Sequence, residues 1–124
     1  MSILNTSHTE GDTLFVQASG RDDSLEEVLA YAGRVIDAAV RSGATRILCD
    51  ETAIEYRLDT MDTFEAGRYI SEQAPKVAKI AIVCNPAFIQ DAQFFENVTV
   101  NRGLTLKVFT DTESAKQWLG QTAG

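Results

Sequence analysis

The stretch SLEEVLAYAGRVIDAAVRSGATRILCD, residues 24–50, decides the fold. Its first part reads as an amphipathic helix. Leu25, Val28, Leu29, Ala32, Val35, Ile36, Ala39 and Val40 recur at the i, i+3, i+4 spacing of a helix lying on a sheet. Ser24 and Glu27 form a capping box, and Asp22 and Asp23 put negative charge where the helix dipole favours it. Gly43 stands where a residue of positive φ ends a helix. RILCD (46–50) follows as a short strand, apolar on both faces. A helix feeding directly into a two-sided apolar strand is half of a crossover connection. It implies a mostly parallel sheet with helices packed on its faces.

The rest of the chain extends this pattern on both sides. Toward the N-terminus, SILNTSH (2–8) and TLFVQAS (13–19) read as strands joined by the turn TEGD. In the second of them Leu14, Val16 and Ala18 face one way, and Phe15 and Gln17 the other. Toward the C-terminus a helix runs from Asp59 or Thr60 to about Ala74, where Pro75 stops it. KIAIVC (79–84) has no alternation and reads as a central strand buried on both faces. Asn85 caps the next helix with Pro86 at its first turn, and Asn101 and Gly103 close it. TLKVF (105–109) is the last strand. A short helix follows, capped by Thr110 or Asp111 and anchored by Ala115, Trp118 and Leu119.

The predicted architecture is therefore α/β, in the order β-β-α-β-α-β-α-β-α. Its five-stranded sheet is mostly parallel, with an antiparallel N-terminal edge strand. The chain has 124 residues and no internal repeat or Pro/Gly-rich linker, so one domain spans 1–124.

Composition narrows the function classes. The formal charge is −7, which opposes a nucleic-acid surface and docking on anionic headgroups. A basic partner or a neutral ligand remains compatible with it. No apolar run reaches the roughly 20 residues of a membrane span. The start MSILNTSHTEGD lacks the basic and apolar regions of a signal peptide. Cys49 and Cys84 each close an apolar strand, which suits two buried reduced thiols and a cytoplasmic location.

Element order and the C-terminal third carry a family resemblance. KIAIVCNPAF, the Phe-Phe pair at 94–95 and NRGLTLKVFTDTESAKQWL resemble bacterial SpoIIAA-like proteins of the STAS and CRAL-TRIO-like kind. The matching positions are Val108, Phe109, Asp111, Glu113, Ala115, Trp118 and Leu119. The resemblance implies a SpoIIAA-like fold and a non-enzymatic regulatory module. Such a module binds a kinase or an anti-sigma-like partner. Relatives are regulated by phosphorylation within a D-S-S-G-type motif after the third strand. Here LDTMD (58–62) occupies that place. Asp59 and Thr60 match the aspartate and the phosphoacceptor, while Met61 and Asp62 replace the second serine and the glycine. A phosphate on Thr60 would meet Asp59 and Asp62 unless Arg57 paired with it. The CRAL-TRIO side of the resemblance implies the alternative, a carrier of a lipid or other small apolar ligand.

Between the third strand and the following helix the reading places a polar loop with Asp50, Glu51, Glu55, Tyr56, Arg57 and Asp59. Glu51, Tyr56, Arg57, Asp59 and Thr60 are the candidate interaction residues. Tyr56 and Arg57 suit an interface, and equally Tyr56 suits a lid over the core beneath Phe64. Asp50 is read as a carboxylate that bonds loop amides, in preference to a receiver-type phosphoacceptor. A divalent metal on Asp50, Glu51, Glu55 and Asp59 lacks a recognisable spacing, so the acidic loop is read as solvated, with no metal and no cofactor. The lone His8 reads as a surface residue. Paired acid and base chemistry at Asp50 and Glu51 ranks last, because adjacent strand residues point in opposite directions. Phe64, Phe88, Phe94, Phe95 and Met61 suit a core or a ligand pocket. Phe15 and Phe109, on the outer strands, point to a candidate homodimer face.

Overall fold

The structure is a computed structural model that describes residues 3–74 and 79–120. Strands β1 (Leu4–Glu10) and β2 (Thr13–Arg21) form an antiparallel hairpin. The two-residue turn puts Gly11 at φ 61°, which a glycine adopts without penalty. β1 thus runs on to Glu10, two residues past the predicted end, because the turn is tighter than a TEGD loop. Ser2, at the predicted start of this strand, lies outside the described residues.

Helix α1 (Leu25–Ser42) begins and ends as its sequence implies. The Ser24 hydroxyl accepts from the Glu27 amide at 3.2 Å, and Gly43 takes φ 69°. Val40 departs from the predicted stripe: it is 63% exposed at the last turn, and Tyr31 is buried instead.

The rest of the chain alternates. It comprises β3 (Arg46–Glu55), α2 (Thr60–Gln73), β4 (Lys79–Cys84), α3 (Ile89–Asn101), β5 (Thr105–Phe109) and α4 (Thr112–Gly120). A 3₁₀ turn at Pro86–Phe88 leads into α3, with the Asn85 side chain accepting from the Ala87 amide. Asp111 caps α4 through the Ser114 amide at 2.8 Å. Pro75, predicted to end α2, is outside the described residues.

The sheet order is β1-β2-β3-β4-β5, with every pair after the first parallel. Helices α1, α2 and α3 lie on one face, and α4 lies on the other. The larger core fills the first face, with Leu14, Val16, Ile47, Cys49, Ile82 and Leu106 beneath Val35 and Ala39. The smaller sets Leu48, Ala81 and Val83 against Ala115 and Leu119. β4 is therefore covered on both sides, which accounts for its unbroken apolar run. Phe109 packs on Trp118 at 5.8 Å, and Phe15 stacks on His8 at 5.3 Å. These two aromatic residues are half-buried within their own chain.

Helices α2 and α3 approach closely at Gly67. A Cβ there would sit 2.7 Å from Cγ1 of Val98, a buried β-branched side chain with little freedom to move. Gly67→Ala gains about 1 kcal/mol of helix propensity and loses about 1–3 kcal/mol to overpacking. We expect a net loss near 1 kcal/mol in urea denaturation. A variant as stable as the wild type would show that the two helices have room to spare.

Candidate functional site

β3 does not stop at Asp50. It continues to Glu55 because β2 keeps pairing with it, through Gly20 with Ile54 and Arg21 with Glu55. The register slips once on the way: Gln17 pairs with Asp50 and Ser19 with Ala53. Two residues of β3, Glu51 and Thr52, thus stand opposite Ala18. The Asp50 carboxylate holds this bulge, accepting from the Thr52 amide at 3.1 Å and the Thr52 hydroxyl at 2.7 Å. Bulges of this kind re-aim side chains. Here Ile47, Cys49 and Glu51 face the three-helix layer, and Ile54 returns to it after the slip.

Glu51 is consequently not part of a solvated loop, which corrects the sequence reading. It is 8% exposed and lies under α1. The Tyr31 hydroxyl donates to its Oε2 at 2.9 Å, and the Tyr56 hydroxyl donates to its Oε1 at 2.5 Å. Burial raises the Glu51 pKa, while the two tyrosine bonds oppose the shift. Burial and the neighbouring carboxylate push both tyrosines well above their ordinary value. Tyr56 packs its ring on Phe88 at 5.8 Å, not beneath Phe64. It is partly buried against the core of the three-helix face. Asp50, on the other face of β3, cannot share a reacting atom with Glu51.

The Tyr31–Glu51–Tyr56 network borders a cavity of about 130 Å³ between the sheet and α1–α3. Its walls are mostly aliphatic, among them Val28, Val35, Ile47, Ile70 and Ile82. Asp22 and Asp91 complete its polar lining with Thr63. Cys49 also borders the cavity. Both Cys49 and Cys84 are free thiols, with pKa values raised by burial.

Asp22 does not cap α1, as its position suggested. It is buried, and its Oδ1 accepts from the backbone amides of Arg57 and Leu58, the latter at 3.2 Å. Its own amide donates to the Glu55 carbonyl at 3.1 Å. The segment leaving β3 is thus tied to the start of α1. Desolvation raises the Asp22 pKa to about 6, against the two amide bonds, with Asp91 and Asp23 adding to it.

The remaining candidates form the exposed surface beyond this tie. Arg57 lies 3.4 Å from Asp23 and 3.3 Å from Glu55. It is engaged with these carboxylates rather than held ready for a phosphate. Asp59 caps α2, accepting from the Asp62 amide at 2.8 Å. Thr60 is the exposed first residue of α2. Met61 beside it is 74% exposed, and Phe64 is 39% exposed with the Arg102 guanidinium 5.5 Å over its ring. Asp50, Glu51, Glu55 and Asp59 are dispersed over two faces and a loop. Among the described residues no group of three or more His, Cys, Asp or Glu is placed to hold a metal. No described helix is long and apolar enough to cross a membrane.

No family model matches the chain, and no curated protein matches it in sequence. Solved structures do. One is an anti-sigma factor antagonist from Mycobacterium paratuberculosis, at TM-score 0.68 and 16% identity, over 97% of this chain and 96% of the other. A second is an uncharacterized DUF3478-family protein of SpoIIAA-like fold from Shewanella loihica PV-4. It aligns at TM-score 0.56 and 18% identity, over 95% and 94% of the two chains. The chain has a SpoIIAA-like fold. Sequence reasoning missed Tyr31 and the role of Asp22. Tyr31 carried a signal, since it lies three residues after Val28 and four before Val35 on the inward stripe.

Proposed function

We propose that the protein is a non-enzymatic regulatory module of STAS type that docks a protein partner on the start of α2. The observation that carries this reading is the exposure of Met61 and Phe64 beside Thr60, on a helix whose N-terminus Asp59 caps rigidly. Large apolar side chains three residues apart form one surface strip on a helix. Arg57, Asp59 and Thr60 supply its polar rim. The anti-sigma factor antagonist of the same fold supports a partner of kinase or anti-sigma type, and the buried free thiols suit the cytoplasm. Thr60 is the candidate phosphoacceptor. A phosphate there would add about −2 of charge beside Asp59 and Asp62, favoured by the helix dipole and opposed by both carboxylates.

Affinity capture from the native host tests this. Met61→Glu and Phe64→Glu are expected to reduce the captured partner by about tenfold or more each, the loss of roughly 1.4 kcal/mol. Unchanged capture by both variants would remove α2 from the interface. Intact-mass measurement of the native protein reads phosphate at Thr60 directly.

A second reading has its own observation, the apolar cavity. It supports a carrier of a small apolar ligand held between the sheet and the helices.

A further inference from the structure

The cavity has an electrostatic sign. Among the described residues its lining contains the carboxylates of Asp22, Glu51 and Asp91, and no lysine, arginine or histidine. These groups come from three different elements: the β2–α1 connection, β3 and α3. They converge on one space instead of following a single acidic run. Glu51 and Asp22 are buried, Glu51 held between the two tyrosine hydroxyls, while Asp91 is exposed.

This lining discriminates among apolar ligands by charge. A carboxylate or phosphate entering the cavity would lose its water and find only like charges. An ammonium would lose its water and find carboxylates in its place. Each tyrosine oxygen also keeps acceptor capacity after donating to Glu51. An opposite charge within about 4–6 Å favours the ionised carboxylate, so an ammonium strengthens its own partner. Size is a second filter. The volume of about 130 Å³ is close to the roughly 150 Å³ of a cavity known to hold one benzene ring.

We propose that this cavity binds a small apolar amine, its body among Val35, Ile47 and Ile82 and its ammonium against Glu51, and that it rejects anionic amphiphiles. The proposal rests on the carrier reading and specifies the charge of the ligand.

Calorimetric titration of the full chain with benzylamine, benzyl alcohol and phenylacetate at neutral pH separates the two. Benzylamine is expected to bind saturably and at least about tenfold more tightly than phenylacetate, with the alcohol between them. Glu51→Gln keeps the side-chain shape. It is expected to weaken benzylamine by about tenfold and to leave benzyl alcohol nearly unchanged. Ala66→Leu fills the cavity wall and is expected to abolish binding of all three. If phenylacetate or the alcohol matches benzylamine in the wild type, the charge inference is overturned and the carrier reading stands. If no probe binds saturably at millimolar concentration, both fall. Full benzylamine affinity in Ala66→Leu would place the binding elsewhere and also overturn the proposal.

Discussion

Glu51→Ala is expected to lower stability by roughly 3–5 kcal/mol in urea denaturation, and Glu51→Gln by less than about 1 kcal/mol. The difference lies in what each change leaves behind. Alanine strands the Tyr31 and Tyr56 hydroxyls, which donate to Glu51 in a buried and a part-buried setting respectively. A buried polar group without a partner costs about 1–3 kcal/mol, and here a buried and a part-buried hydroxyl lose theirs together. Alanine also enlarges the cavity. Glutamine keeps one oxygen to accept from one tyrosine, and its amide can donate to the oxygen of the other. It also removes the desolvation that raises the Glu51 pKa, which offsets the weaker bonds. Tyr31→Phe and Tyr56→Phe are expected to cost about 1 kcal/mol each, since each leaves Glu51 one remaining donor. The carboxylate is then the centre of the network and the tyrosines its arms. An alanine variant as stable as the glutamine variant would show that water replaces the network without loss.

How far such a site can be read from sequence depends on how local its signals are. The ends of α1 follow from Ser24, Glu27 and Gly43, whose chemistry acts within a few residues of itself. The two-sided burial of β4 follows from composition alone. The end of β3 is different. ETAIE looks like the start of a polar loop, because the bulge at Glu51 and Thr52 breaks the period-2 pattern that marks a strand. Only pairing with β2, a contact between distant segments, carries the strand onward. Glu51 was misread for the same reason. A carboxylate at a strand end is ordinarily solvated, and nothing adjacent in sequence shows two tyrosines converging on it. Tyr31 lies 20 residues before Glu51 in the chain. Val40 shows the converse failure: its spacing fits the stripe, but the last turn of α1 leaves it facing water.

Asp22→Asn is expected to flatten the pH dependence of stability between about pH 4 and pH 7, where the wild type loses about 2–3 kcal/mol. The sign follows from the direction of the shift. Asp22 has a pKa raised from 3.8 to about 6 in the folded protein. Below the lower value the carboxyl is protonated in both states and carries no penalty. As pH rises toward the folded value, the unfolded chain releases its proton while the folded chain retains it. Stability therefore falls with rising pH and levels off above the folded value. Glu51 is shifted in the same direction, so the comparison is made in a Glu51→Gln background. Asparagine preserves the geometry, because its side-chain oxygen can still accept from the Arg57 and Leu58 amides. Denaturation curves that fall in parallel for Asp22→Asn and its parent would assign the pH dependence to other groups. If the curves separate, the penalty belongs to Asp22, whose side chain helps tie the start of α1 to the segment leading into Thr60. Ionisation of Asp22 at neutral pH then lowers the stability of the folded state through this tie.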